Sequence, residues 1–523
     1  MEKQKVAVVG GGAFGLAAVK NLRDEGFDVT CFEKRNTIGG LWASARETDI
    51  TSTLPTTLSN VTKYRSCYTD FPVPDEAPPY LPAPDVYEYI KSYAKHFDLY
   101  PHIKLNTTVR IVTRNEDDTQ WQLVVVDAAG EATYEFDKIL FCQGATEQPH
   151  LPKFDGRESF TGEVIHSQAY KEPAVYKGKR VLVVGLGNTA ADTAAGLVGH
   201  AEKIYISHRR SAVLLPRRVF GQPLDLAVSR RMLEIKQLTA RWSPRISRWI
   251  FDKYVQYLMT SSFEFDPAWR MYPPPTVVSN QPTINDKLIS CLQAGSITSV
   301  HCIRRFVDAT TVELEDDTRL EIDAVILCTG YRARWDMVPD VNPTDHPSTL
   351  DFIKRVGYNG PPLPRLYQNI FPPEFPDSIA FLNCFALTEG VVPMADLASM
   401  AIAQVWAGHY QLPSKEAMNT AIDKNHLWVA ALARDDKVYA GIVDDGPWLR
   451  FLNDAAGTGV NENLGYGLRG WLYWLREPRF CHLLMTGVIS AHVFRLFDGR
   501  RKKWIGAKDA ILRANSNAKL PRA

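Results

Sequence analysis

The chain has 523 residues, 45 % hydrophobic and 23 % charged, an ordinary globular balance with room for two to four domains. Its 60 Lys and Arg against 59 Asp and Glu leave a net charge of +1, which gives no electrostatic case for nucleic acid or an acidic partner. Eight scattered cysteines, with no Cys-x-x-Cys pair and no Cys/His set at zinc spacing, argue against a disulfide framework or a zinc site and for a reducing compartment.

A strand-like run, Lys5 to Val9, comes almost at once, so no secretory signal is expected. It opens "KVAVVGGGAFGLAAVKNLRDEGFDVTCFEK", a β-branched run, a glycine turn, an Ala/Leu-rich helix and a second strand. That is a βαβ unit of a parallel sheet. The turn residues Gly10, Gly11, Gly12, Ala13, Phe14 and Gly15 follow the Gly-x-Gly-x-x-Gly pattern in the required strand-to-helix context. Glycines there allow a tight turn and let a pyrophosphate reach the helix N-terminus. Glu33 ends the second strand, where a carboxylate accepts ribose hydroxyls, so FAD or NAD is expected rather than a 2′-phosphorylated dinucleotide. A proline-rich segment, Asp70 to Asp85, follows, and then "FDKILFCQG" (Phe136 to Gly144).

The stretch "FTGEVIHSQAYK" (Phe160 to Lys171) precedes a second βαβ unit, "KRVLVVGLGNTAADTAAGLVGHAEKIYISHRR". Its turn is Gly185-x-Gly187-x-x-Ala190, and its second strand ends in His208, Arg209 and Arg210 instead of an acid. Guanidinium groups at that place suit the 2′-phosphate of NADPH. An aromatic tract, Ala240 to Pro275, reads as a helical insertion. "IDAVILCTGY" (Ile322 to Tyr331) repeats the pattern of "FDKILFCQG", an Asp before the strand and a Gly just past it. A second proline-rich segment runs from Gly360 to Asp377. No run of about 18 uncharged apolar residues occurs; the nearest, Val391 to Gly408, contains Pro393 and Asp396. The basic stretch "DGRRKKWIGAKDAILRA" is expected to be a solvated helix packed on the body, with a peripheral membrane contact as the alternative.

Phe160-x-Gly162-x-x-x-His166-x-x-x-Tyr170-Lys171 resembles the fingerprint of flavin-containing monooxygenases, which lies between that family's FAD and NADPH turns. The Baeyer–Villiger version ends in Trp where this chain has Tyr170. "GGLW" (Gly39 to Trp42), "LSN" (Leu58 to Asn60), "DFPVP", "PTIND" (Pro282 to Asp286), "LYQNIFPP", "LCTGY" and "FRLFDGRRKKWIGAKDAIL" extend the resemblance over nearly the whole chain, in the eukaryotic full-length form. No hydrophobic C-terminal anchor like that of animal members is expected, so membrane integration is not implied, and Asn453 to Asn463 follows the family only loosely.

The resemblance implies an α/β fold with two Rossmann-like domains, the NADPH domain inserted within the FAD domain, and a C-terminal helical segment. The expected boundaries are 1–165 and 331–450 for FAD, 166–330 for NADPH with an insertion at about 225–280, and 451–523 for the extension. It further implies that Gly40, Leu41, Trp42, Ser59 and Asn60 contact FAD, and that Thr189, Ala190, Ala191 and Asp192 line the NADPH pyrophosphate. Asn60 is the one expected catalytic residue, and His166 is expected to organise the connector. NADPH would reduce the flavin, O₂ would add at C4a as a hydroperoxide, and one oxygen atom would pass to a lipophilic small molecule, at nitrogen or sulfur. Carbon oxygenation, as Baeyer–Villiger oxidation or epoxidation in secondary metabolism, is the alternative. An uncoupled NADPH oxidase or an FAD/NADPH disulfide reductase is a more distant one, the latter weakened by the lack of a close Cys pair. A cytoplasmic location is expected, and the oligomeric state stays open.

Overall fold

The computed structural model describes residues 3–347, 349, 354, 362–382, 390–434, 438 and 441–519; Cys384 and the opening residues of the second proline-rich segment lie outside them. Two five-stranded parallel sheets organise the chain. The first has the order Ile379–Phe381, Lys138–Phe141, Lys5–Val9, Asp28–Phe32, Ile103–Lys104. The second has the order Thr298–Val300, Lys203–Ser207, Arg180–Val184, Ala324–Leu327, Glu163–His166. One edge strand of the first sheet, Ile379–Phe381, comes after the entire second sheet in the chain. The second half is therefore nested inside the first. Central strands such as Lys5–Val9 and Arg180–Val184 are buried after their first residue, which is why they read as unbroken β-branched runs rather than alternating ones.

In each half a three-stranded antiparallel ribbon comes just before a strand that returns to the centre of the sheet: Thr108–Arg114, Trp121–Asp127 and Gly130–Phe136 before Lys138–Phe141, and Ile303–Phe306, Thr311–Leu314 and Arg319–Glu321 before Ala324–Leu327. The Asp before each returning strand has the same task in both halves. Asp137 Oδ2 accepts from the Lys5 amide at 2.7 Å, and Asp323 Oδ2 from the Arg180 amide at 2.7 Å. Each carboxylate satisfies the first amide of the neighbouring central strand.

The strand Glu163–His166 belongs to the second sheet, so that sheet begins a few residues before the boundary expected at 165/166. The aromatic tract forms two helices, Arg230–Trp242 and Pro244–Ser262, capped by Ser229 and Ser243. The apolar run near residue 400 is the helix Val391–Trp406, buried along almost its whole length and packed on the helices Ala13–Asp24 and Asp445–Ala456. Its Asp396 accepts from the Asn21 amide group at 2.7 Å and from the Thr69 hydroxyl at 2.7 Å. Beside it Asp70 of "DFPVP" pairs with Lys20 at 2.5 Å and with Arg495 at 3.2 Å. Burial alone would push the Asp70 carboxyl up; Arg495 and Lys20 outweigh it and hold it below its usual range. The C-terminal extension is thus tied to the first half through buried charge. Among the described residues no helix is long and apolar enough to cross a membrane.

Candidate active site

At the first turn Gly10 has φ +106°, and a Cβ on it would sit 2.7 Å from Cys142 O. A Cβ on Gly15 would lie 1.8 Å from Gly10 O. Both positions demand glycine. Gly12 caps the helix Ala13–Asp24 with no side chain over its first amides, so the N–H groups of that turn are left to an anionic ligand. Glu33 is buried. Its Oε2 accepts from the Gly11 amide at 2.7 Å and its Oε1 from the Arg35 amide at 2.8 Å. A carboxylate has about four acceptor directions, so capacity remains for ribose hydroxyls.

The "GGLW" segment lies directly on this turn. The Gly39 amide donates to Gly11 O at 3.0 Å, and a Cβ on Gly40 would stand 3.1 Å from Gly12 Cα. Arg35 staples the segment by donating to Gly40 O at 2.8 Å and Ala43 O at 2.9 Å. Sequence reasoning missed Arg35, although an Arg two residues past the acid that ends the second strand is a visible signal. Leu41 is exposed and Trp42 half-buried on the same short helical turn. The helix Ala83–His96 then carries the next motif: Ala83 N donates to Thr57 O at 2.8 Å, and Ser59 pairs with Leu81 through its amide and its hydroxyl oxygen, each at 2.8 Å. Tyr87 of the same helix packs on Gly39. One helix N-terminus therefore supports both "GGLW" and "LSN".

The second turn repeats the first with a looser fit. Gly185 has φ +130°, and a Cβ on it would meet Cys328 O at 2.6 Å. Gly187 caps the helix Asn188–Leu197 without a side chain, and a Cβ on it would meet nothing within 4 Å. Ala190 and Ala191 are buried on this helix, and Thr189 lies in its first turn. "PTIND" packs against it. Ile284 N donates to Asn188 Oδ1 at 2.8 Å, and Asn285 Nδ2 to Asp192 Oδ1 at 2.7 Å. Burial pushes the Asp192 carboxyl up. Of the three residues ending the second strand, Arg209 and Arg210 are exposed while His208 is buried. His208 Nδ1 lies 3.0 Å from Arg210 O and Nε2 3.0 Å from Ser299 Oγ; burial lowers its pKa to about 4. The ring is thus neutral, with Nδ1–H donating to the carbonyl. A cleft of about 500 Å³ opens beside Arg210, lined also by Ser211, Arg248, Asp252 and Pro273 to Thr276.

Arg217 joins the two halves. Its Nη2 donates to Asn60 Oδ1 at 3.0 Å and Leu58 O at 3.1 Å, its Nε to Ser59 O at 3.0 Å, and its Nη1 to Asp286 Oδ2 at 2.8 Å. Asp225 adds a second link, accepting from the Thr62 amide at 2.7 Å. Neither residue was legible: "LLPRR" reads as an ordinary basic run. The consequence for Asn60 is definite. With Oδ1 held by a guanidinium, its amide N–H₂ is the end left to donate.

The fingerprint stretch lies where the two halves connect. A Cβ on Gly162 would meet Asp323 O at 2.6 Å. His166 Nε2 donates to Gly330 O at 3.0 Å, and its Nδ1 accepts from the Gln168 amide at 3.2 Å. Burial lowers its pKa, in keeping with this neutral tautomer. Tyr331–Arg332 pairs antiparallel with Gln148–Pro149, so the two crossings between the halves form a small ribbon beside His166. Gln168 donates to Thr51 at 2.8 Å and Lys171 to Ile50 O at 2.8 Å, carrying the stretch back to the loop after "GGLW". Tyr170 is buried against Tyr176.

Comparison with known proteins gives this arrangement a family. The family model described as FMO-like, flavin-binding monooxygenase-like, matches residues 3–521. The monooxygenase aurF of Gibberella zeae is 40 % identical over 520 residues, covering 99 % of this chain and 98 % of that protein. The mouse flavin-containing monooxygenase 5 is 30 % identical over 532 residues, covering 100 % and 93 %. Among solved structures, cyclohexanone monooxygenase bound to cyclohexanone has the same fold, with a TM-score of 0.63 at 17 % identity over 87 % of this chain and 97 % of that one. The two nested dinucleotide folds and the match along the full length agree: the chain belongs to the flavin-binding monooxygenase family and is a flavin-dependent monooxygenase.

Proposed function

We propose that the chain uses NADPH and FAD to transfer one oxygen atom from O₂ to a lipophilic small molecule, at nitrogen or sulfur. The observation that carries this reading is a pair of uncapped, glycine-opened helices whose second strands end in opposite charge, Glu33 in one half and Arg209–Arg210 in the other. The first half fits FAD: Gly10 and Gly15 let the turn close tightly, Gly12 leaves the first amides of the helix uncapped for a pyrophosphate, and Glu33 is held where it can accept from ribose hydroxyls. The second fits NADPH, with Thr189 to Asp192 at the pyrophosphate, Arg209 and Arg210 for the 2′-phosphate, and a cleft beside Arg210 to admit it. When bound, FAD supplies the redox chemistry and activates O₂. The residues of the chain bind, orient and exclude water. Asn60 donates from its amide nitrogen toward the reacting edge, fixed in that orientation by Arg217.

The test is a balance sheet of the FAD-loaded protein: NADPH consumed, product formed and hydrogen peroxide released, with a tertiary amine, a thioether and a cyclic ketone as probes. N-oxide or sulfoxide formed in step with NADPH supports the reading. A lactone from the ketone, in preference to the other two, assigns carbon oxygenation instead. Peroxide alone with all three probes removes oxygen transfer. Asn60→Ala is expected to keep its flavin and its reduction by NADPH while peroxide replaces product; unchanged product formation would sink the role of Asn60.

A further inference from the structure

The helical insertion has a definite place in the fold. It lies in the crossover from Lys203–Ser207 to the edge strand Thr298–Val300 of the second sheet. The matching crossover in the first half, from Asp28–Phe32 to Ile103–Lys104, brings "GGLW" back onto its own glycine turn through Gly39 and Gly11. The second crossover returns a residue to its own strand end as well. Near its far end the short turn Pro267–Trp269 packs on Thr298–Val300. Arg270 follows at φ +56°, a left-handed backbone that residues with a side chain rarely adopt. Its Nη1 donates to His301 Nδ1 at 3.0 Å, which leaves Nε2 of that ring to carry the proton toward Asp316, 3.6 Å away. Arg270 Nη2 is buried and has no acceptor, and among the described residues no carboxylate pairs with this guanidinium. A buried charged donor without an acceptor destabilises the fold until an anion meets it.

The surroundings of Arg270 select the anion. Burial lowers the His208 pKa, and the charge of Arg270 lowers it further. Burial and Glu315 push the Cys302 thiol up, and the charges of Arg209 and Arg270 both act against them. Arg209 and Arg270 are thus within electrostatic reach of one thiol, at the end of the strand Lys203–Ser207. Arg209 is exposed and makes no ion pair among the described residues. Two guanidinium groups, one at the start of the crossover and one near its end, therefore keep donors free at the strand end where a unit of this kind meets the ribose. A phosphate dianion takes several charge-assisted N–H donors, and guanidinium forks suit it.

We infer that Arg270, carried in by the insertion, is a specificity-determining residue that donates with Arg209 to the 2′-phosphate of NADPH; the inference rests on the assignment of the second turn to that coenzyme. The phosphate supplies the acceptor that Arg270 Nη2 lacks, and the choice of coenzyme is then made by the insertion as well as by the strand end. The test is calorimetric titration of the FAD-loaded protein with adenosine 2′,5′-bisphosphate and with adenosine 5′-phosphate, which differ in the 2′-phosphate alone and need no turnover. Wild type is expected to bind the bisphosphate more tightly. Arg270→Gln should weaken binding of the bisphosphate about tenfold, leave the monophosphate unchanged and keep its flavin. Arg270→Lys keeps the charge without the fork and should fall between the two, and it carries the test if the glutamine variant fails to fold. A preference kept in Arg270→Gln but lost in Arg209→Ala would overturn the role of Arg270 while the NADPH reading stands. Equal weakening of both nucleotides in Arg270→Gln would also overturn it, since the residue would then shape the site without reading the phosphate. A wild type that binds the two nucleotides alike would remove the NADPH reading, and the inference with it.

Discussion

The two glycine turns share a plan and differ in fit. In the first, the "GGLW" segment presses on Gly12, Arg35 staples it down, and Glu33 is buried and hydrogen-bonded to the turn itself. In the second, the space above Gly187 is open, Arg209 and Arg210 are exposed, and a cleft runs beside Arg210. A closed turn suits a cofactor that stays, and an open one suits a coenzyme that must enter and leave on each cycle. The difference comes from what is laid over each turn, since the turns themselves superpose in plan: Gly10 and Gly185 both lie against a cysteine carbonyl, Cys142 and Cys328.

The sharpest way to break the comparison is a methyl group. Gly15→Ala would drive a Cβ to 1.8 Å from a backbone oxygen, which the tight first turn cannot relieve; the expected result is protein without bound flavin and with stability lowered by about 3 kcal/mol. Gly187→Ala meets no protein atom. It should fold and stay yellow while its KM for NADPH rises about tenfold, because the methyl occupies coenzyme space. Visible absorbance, thermal melts and initial rates separate the two. Equal flavin loss in both would end the distinction between a closed and an open turn.

Next in size is the link between the halves. Arg217→Ala removes donors from Asn60, Ser59, Leu58 and Asp286 together. A loss of about 2 kcal/mol in stability is expected, reduced from the value for a wholly buried pair because Asp286 is partly exposed. The more specific readout is catalytic. Flavin reduction by NADPH should persist while peroxide rises at the expense of product, and Arg217→Lys should restore little because a single ammonium cannot span four acceptors. Normal coupling in both variants would show that Asn60 does not depend on this clamp.

Smaller still is the coenzyme choice. Arg209→Ala with Arg210→Ala should lower the preference for NADPH over NADH, as the ratio of kcat/KM, by about tenfold or more. An unchanged ratio would mean that the charge difference between the two strand ends does not read the ribose.

These effects sort what the sequence can and cannot carry. Both βαβ units, their turns, the paired Asp-strand-Gly closures and the helical insertion are legible because each is local. The β-branched run, the glycine spacing and the capping residue lie within about thirty residues of one another. Arg217 and Asp225 were not legible, since their partners lie 157–163 positions away and the local run "LLPRR" has no period. Arg495, bound to Thr69 and Asn21 from more than 400 positions away, was hidden for the same reason. The aromatic tract Ala240 to Pro275 was legible as a helical insertion, but the exposure of Trp242, Ile246, Trp249 and Ile250 was not, because only the fold shows which side of a helix is covered.

The last difference between the turns is titratable. The second strand of the second half ends in buried His208, at the place where the first half has Glu33. Burial lowers the folded pKa of His208 to about 4, below the ~6.5 of an unfolded histidine. Between those values the unfolded chain takes up a proton that the folded chain refuses. The stability from this group is therefore complete above about pH 6.5, falls as pH drops toward about 4, and changes no further below that, for a total of up to about 3 kcal/mol. His208→Asn lacks that proton uptake, so its thermal midpoint should fall below wild type near neutral pH and the gap should close by about pH 4.5. Parallel curves across this range would show that His208 is not held neutral, and that the two strand ends differ in charge alone and not in their response to acid.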